Sequence, residues 1–301
     1  MKHARAALLA AVALAIACRP APAPVLPPVA MRDVPPRIGL ALGGGGARGF
    51  AHVGVLRVFE QEKIPLHVVV GSSVGSLIGA LYADSGRVLD AEFLAAEVEH
   101  DDIFDFGALA FFSGGLARGA GIERFLGEHL KHPTFETLPV RFGAVATELA
   151  TGRTVVFERG SVAQGVRASC AIPGVFSPVE IGGTVYVDGS VTDPVPADAA
   201  RARGAEVVVA VAIPSSVPSD LPSTPVGVAL RAIGLLANAV QEARAAEADV
   251  VISPEVGGIA YDDFTAKKRA IEAGEEAARR ALPAIRAAIA AKTRHEPMPP
   301  E

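Results

Sequence analysis

Two short apolar runs, residues 38–42 (IGLAL) and 65–70 (PLHVVV), decide most of what this chain is able to become. Neither alternates polar with apolar residues, so each reads as a strand buried on both faces, the pattern of a parallel sheet. Each ends in glycine and passes directly into helix-forming sequence. The first is followed by Gly43-Gly44-Gly45-Gly46-Ala47-Arg48-Gly49 and an amphipathic helix to about Glu62. The second is followed by Gly71-Ser72-Ser73-Val74-Gly75 and a helical stretch over 76–83. Strand, loop, helix, strand, turn, helix implies an α/β fold with a parallel sheet and covering helices.

The remaining sequence extends this pattern. Residues 91–131 read as mostly helical with loops, the expected place for a cap over the site. Strands are expected at 140–147, 154–158, 206–213 and 249–253, with a hairpin over 179–187 turning at Gly182-Gly183. Residues 265–291 read as a helix, kinked at Pro283. Half of the 301 residues are apolar and a fifth are charged, which suits a single globular domain with a sizeable core. The net charge of −5 gives no basic face for nucleic acid. Tryptophan is absent, so the core must come from Ala, Val, Leu and Ile.

The first residues read differently. Lys2, His3 and Arg5 precede an apolar run over 6–16, and Ala15-Ile16-Ala17 precedes Cys18. That is the layout of a secretory signal, and the run is too short for the ~20 residues of a membrane-spanning helix. An ordinary cleavage after Ala17 and a lipoprotein cleavage before a lipidated Cys18 would cut the same bond. The Pro- and Ala-rich stretch that follows has no apolar periodicity and suits a semi-rigid tether, which favours the lipoprotein reading. Cys18 and Cys170 are therefore not expected to form a disulfide.

Three motifs carry chemistry. In Gly71-x-Ser73-x-Gly75, small neighbours permit a sharp strand-to-helix turn that presents the Ser73 hydroxyl above the sheet, at the positive end of the next helix. Gly44-x-Gly46-x-x-Gly49 has the spacing of a dinucleotide fingerprint, but Val68-Val69-Val70-Gly71 stands where that fold needs an acid for the ribose, and no P-loop Lys-Ser/Thr follows. The better reading is a loop of free backbone N–H groups for an oxyanion, with Gly45 and Gly46 as donors. Arg48 either stabilises that loop or meets a lipid phosphate. The third motif is Asp188-Gly189. A serine needs a base, and the histidines are badly placed for one: His52 and His67 precede Ser73, His100, His129 and His132 lie in the loop-rich middle, and His295 lies in a polar tail. A partly desolvated carboxylate is the economical alternative.

Taken in order, these residues resemble the patatin-like phospholipase family from Ile38 to about Ile213. GGGGARG at Gly43–Gly49 matches its oxyanion motif, GSSVG its nucleophile motif and Asp188-Gly189-Ser190 its aspartate motif. A further family block, Ala168 to Pro178, places Cys170 as a small core residue. Ser190 stands where the family usually has Gly or Ala, and Asp193 where Asn is expected. The resemblance implies a three-layer α/β/α domain with a mostly parallel sheet and a Ser73–Asp188 dyad. Gly44, Arg48, Gly49, Gly71, Gly75 and Gly189 would support the dyad, with no metal and no cofactor. It also implies acyl-ester hydrolysis on a phospholipid, lysophospholipid or similar lipid; a silent lipid-binding envelope protein and a lipid acyltransferase are the alternatives. The expected organisation is a signal at 1–17, a tether at 18–36, a catalytic domain at 37–292 with its motif-bearing core at 38–213, and a polar tail at 293–301. Lipid on Cys18 would hold it to a membrane surface. Arg19 is not the aspartate that marks inner-membrane retention, so the periplasmic face of the outer membrane is expected.

Overall fold

The computed structural model describes residues 31–98, 119–213, 223 and 225–298. Cys18 with the export signal, and His100, lie outside the described residues. The elements are, in order, β1 (Met31–Val34), β2 (Ile38–Leu42), α1 (Ala51–Gln61), β3 (Val68–Ser72), α2 (Val74–Ala83), α3 (Val88–Glu97), α4 (Ala120–His129), β4 (Phe142–Glu148) and β5 (Thr154–Phe157). Then follow α5 (Val162–Ser169), β6 (Val179–Ile181), β7 (Thr184–Asp188), α6 (Ala197–Ala202), β8 (Val207–Val211), α7 (Pro225–Ala245), β9 (Val250–Ile252), α8 (Lys267–Lys292) and β10 (Arg294–Pro297).

Among the described residues, eight strands form the main sheet. From β4 through β3, β2 and β8 to β9 every pairing is parallel, while β5, β6 and β7 join antiparallel. The fold is thus α/β with a mostly parallel sheet. Parallel strands need covering on both faces, and alternate residues supply it. Leu40, Leu42, Val69, Val207, Val209 and Val211 point into a large core with α1, α2 and α8. Ala41, Val68, Val70, Val208 and Ala210 point the other way, against Ala197 and Ala200 of α6 and Ala245 of α7. On the first face α1 and α8 approach closely because each offers a glycine: a Cβ on Gly54 would strike the Ile271 carbonyl, and one on Gly274 would strike that of Ala51. Among the described residues, no helix is long and apolar enough to cross a membrane.

Several boundaries differ from the sequence reading. The glycine loop enters α1 through a 3-10 turn, Gly46–Phe50. The second strand starts at Val68 and runs on to Ser72. The hairpin does turn at Gly182-Gly183, both in the left-handed region (φ 60° and 80°), as a tight turn matched to strand twist requires. α8 continues through Pro283. The chain divides into two units, Pro35–Arg294 and a small one to which the described residues 31–34 and 295–298 belong. In the small unit β1 pairs with β10, and His295 Nδ1 lies 2.6 Å from Asp33 Oδ1. These strands are short and highly charged, without the apolar signal that marks a core strand.

Candidate active site

The site forms where β2, β3 and β7 end. Val145 of β4 pairs with Ser72 of β3, and the next residue, Ala146, pairs with Asp188 of β7. Both also pair with β5, through Val156 and Val155. A strand has only two edges, so β3 and β7 meet end to end along the edge of β4 opposite β5. That meeting brings together two residues 115 positions apart: Ser73 Oγ donates to Asp188 Oδ2 at 2.7 Å.

Ser73 has φ 54° and ψ −129°. For a residue with a Cβ this conformation costs on the order of 1–3 kcal/mol and persists only where surroundings enforce it. The enforcing contacts are visible. A Cβ on Gly71 would strike the Gly75 carbonyl, and one on Gly75 would strike that of Leu42. The Ser73 N–H donates to Ser169 Oγ at 3.0 Å, and Ser76 Oγ donates to the Ser73 carbonyl at 2.7 Å. Gly75→Ala is therefore expected to destabilise the fold by ~1–3 kcal/mol through overpacking and to lower esterase activity with it. Thermal unfolding beside an ester assay checks this; a variant that melts and works like wild type would contradict the account of the turn.

Asp188 is held at both oxygens, since Oδ1 accepts the Ser190 N–H at 2.8 Å. Burial pushes its carboxyl up to about 6, against the lowering effect of hydrogen bonds from Ser73 and Ser190. Ser190, the first departure from the family pattern, thus adds a donor, and its Oγ packs where a Cβ on Gly44 would go. Asp193, the second departure, is buried with Arg244 Nε 4.0 Å away, and desolvation raises it to about 6 as well. A Cβ on Gly189 would strike the Val145 carbonyl.

The glycine loop sorts its own donors. Gly43 N–H is committed to the Val211 carbonyl, Gly44 N–H to that of Pro194 and Ala47 N–H to that of Tyr261. Among the described residues, the N–H groups of Gly45 and Gly46 have no acceptor. Arg48 is buried and its Nε donates back to the Gly45 carbonyl at 3.2 Å. A Cβ on Gly49 would collide with Val74, at the start of α2.

Ser73 is less open than its motif suggests. Both Ser73 and Asp188 are 3% exposed. Ser73 faces a narrow, largely apolar cleft of about 40 Å³, walled by Phe50, Leu77, Ile122, Ile172, Phe176 and Phe264. Cys170 also lines it, with burial and the Asp188 charge holding its thiol well above the usual range, so it stays protonated. None of the described histidines bonds to Ser73 or Asp188. His129 Nδ1 meets the Phe125 carbonyl, His132 Nδ1 meets Asp84, His67 meets Arg141 and His295 meets Asp33.

Two side chains at the site were given no role there by the sequence. His52 is fully buried, and burial drives its imidazole down to about 4. Neutral at working pH, it donates from Nε2 to the Gly43 carbonyl at 2.7 Å and pins the root of the glycine loop. Its position nine residues after Gly43, on the helix leaving the loop, is the only local hint. Tyr261 reaches the cleft from the loop before α8 and carries no sequence signal.

An α/β domain with a serine on a forced strand-to-helix turn, hydrogen-bonded to a buried carboxylate, belongs to the broad class of serine-bearing α/β proteins. The patatin-like phospholipase model matches residues 40–201. An NTE family protein of Mycobacterium tuberculosis is 34% identical over 181 residues, covering 60% of this chain and 50% of its own. Mouse patatin-like phospholipase domain-containing protein 6 is 32% identical over 192 residues, covering 61% of this chain and 14% of its own. VipD from Legionella pneumophila superposes with a TM-score of 0.49 at 13% identity, covering 88% of this chain and 69% of its own. The chain belongs to the patatin-like phospholipase family. It spans about half the length of the mycobacterial relatives it matches.

Proposed function

We propose that the protein is a serine lipid-acyl hydrolase of phospholipase A, lysophospholipase or carboxylesterase type. The observation that carries this reading is the 2.7 Å hydrogen bond from Ser73 Oγ to a buried Asp188 at the floor of an apolar cleft. In this mechanism Asp188 takes the Ser73 proton as Oγ attacks the ester carbonyl. The oxyanion so formed is met by the N–H groups of Gly45 and Gly46. Collapse of the tetrahedral adduct breaks the bond to the leaving alcohol, which receives the proton from Asp188. Water then repeats the sequence on the acyl-serine. Asp188 suits the task because its raised pKa makes it a stronger base than a solvated carboxylate. The apolar lining beside Ser73 favours an acyl chain over a charged headgroup, and the narrow cleft must widen to admit one.

Purified protein incubated with labelled phospholipids, lysophospholipids and simple esters, with and without acceptor alcohols, tests the reading by thin-layer chromatography. Free fatty acid is the expected product. Acyl transfer to the alcohol in preference to water would make the protein a transferase. Lipid binding without turnover would make it a silent envelope protein.

We further propose export, with Cys18 lipidated and the domain tethered at the periplasmic face of the outer membrane. The support is the layout of residues 1–36. Wild-type protein should then partition with membranes and carry an acylated Cys18, and Cys18→Ser should prevent both. A single chain holds weakly and several hold stably. Mass spectrometry finding a free thiol on a soluble mature protein would end this reading.

A further inference from the structure

The proposed dyad gives the leaving oxygen only one partner, the proton that Asp188 has just taken from Ser73 Oγ. In acylation Asp188 sits beside Ser73 Oγ and Gly45 and Gly46 face the carbonyl oxygen, but the leaving oxygen also gathers negative charge as its bond to carbon breaks. For an activated phenyl ester that charge spreads into the ring. For a glycerol or other alkyl ester it stays on one oxygen, and a positioned donor there lowers the barrier.

The geometry points to the Tyr261 hydroxyl as that donor: a catalytic group that hydrogen-bonds the leaving alkoxide and so equips the site for esters of aliphatic alcohols. The inference rests on the Ser73–Asp188 hydrolase reading and deepens it. Tyr261 shares the wall of the cleft with Ser73, and its hydroxyl turns toward Ser73 and feels the Asp188 charge. The ring is held in place from below and from the side. Its carbonyl accepts the Ala47 N–H at 2.8 Å, and the Arg48 guanidinium lies 5.5 Å from the ring centroid. Gly46 has no Cβ because one there would lie 2.8 Å from the ring. The residue is 41% exposed overall, and its side chain lies against the cleft wall beside Ser73. Burial and the Asp188 charge hold that hydroxyl above its usual range, so it remains a donor at any working pH.

The proton balance is unchanged. The bond from Ser73 Oγ to the acyl carbon forms and the bond from that carbon to the leaving oxygen breaks. The Ser73 proton passes to Asp188 and from there to the leaving oxygen. Tyr261 keeps its own proton and shares it only through the hydrogen bond.

Tyr261→Phe tests this with two butyrate esters, p-nitrophenyl butyrate and ethyl butyrate, read as kcat/KM so that acylation is compared in both. The expected result is a fall on the order of 10²-fold for the ethyl ester and little change for the p-nitrophenyl ester. Fluorophosphonate labelling, which expels fluoride, should keep its wild-type rate. Equal losses on both esters with slowed labelling would assign Tyr261 a packing role and overturn the inference, as would no loss on either. Matching thermal melts exclude misfolding as the cause. Wild-type protein that neither labels nor cleaves the p-nitrophenyl ester would instead bring down the hydrolase reading itself, a result distinct from either Tyr261 outcome.

Discussion

Ser73→Ala is expected to reduce ester hydrolysis by a factor on the order of 10⁶, the usual loss for a catalytic serine, and to abolish fluorophosphonate labelling. The fold should survive. The variant keeps the backbone N–H bond from position 73 to Ser169 Oγ, and the turn stays walled by Gly71, Gly75 and Leu42. The neighbouring serine is the natural control. Ser72 belongs to β3, and its Oγ lies 3.4 Å from Ser190 Oγ, so Ser72→Ala should label and turn over. Labelling of Ser73→Ala at the wild-type level would place the nucleophile elsewhere.

Asp188→Asn should do two things at once. Activity should fall by several orders of magnitude, because an amide cannot accept the Ser73 proton. Stability should rise. The folded carboxyl titrates at about 6 and the unfolded one near ~3.9. Between those values the folded chain holds more protons than the unfolded chain, so this group's contribution falls as pH rises and becomes constant above about 6. Two pKa units correspond to roughly 3 kcal/mol, and an asparagine of the same shape escapes that cost while its oxygen still accepts from Ser190. The variant should therefore melt above wild type at pH 8, and the gap should close by pH 4. Wild-type activity should rise through about pH 6 as Asp188 ionises and level off beyond. That limb lies close to an imidazole's range, so the histidine variants matter. His100→Gln, His129→Gln, His132→Gln and His295→Gln should each keep most activity. A folded one as inactive as Asp188→Asn would revive a triad, and an active Asp188→Asn would turn attention to Asp193.

The parallel core was legible because β2 and β3 must be apolar on both faces, and that leaves an unbroken run in the chain. The Ser73 turn was legible for a steric reason: only glycine fits at 71 and 75. That the N–H groups of Gly45 and Gly46 are the ones left without an acceptor is dictated by nothing local, because the carbonyls of Val211, Pro194 and Tyr261 that occupy the other N–H groups come from distant chain. Tyr261 was invisible for the same reason. Burial of Ser73 was missed because a cleft wall is a property of Ile122, Phe176 and Phe264 together. α5 went unread although Ser161 caps it through the Gln164 N–H, a serine-x-x-glutamine signal that was there to be used. α7 also went unread, although it opens at Pro225 directly after Ser223-Thr224, the mark of a helix start.

The end-to-end meeting of β3 and β7 on β4 has a consequence for how such a chain tolerates errors. Successive side chains of a strand face opposite ways, so a single inserted residue in β7 would reverse every position beyond it. Asp188 would then leave the cleft, while β2, β3, β8 and the helices packed on them kept their contacts. On the proposed mechanism the product would be compact but inert. A screen of insertions that scored only expression would pass it. The two left-handed glycines at the hairpin hold β7 in step with β6 and so, on the proposed mechanism, keep Asp188 against Ser73. Length changes on the β4 side of Asp188 are therefore the ones selection has most reason to remove, even where composition is free to drift.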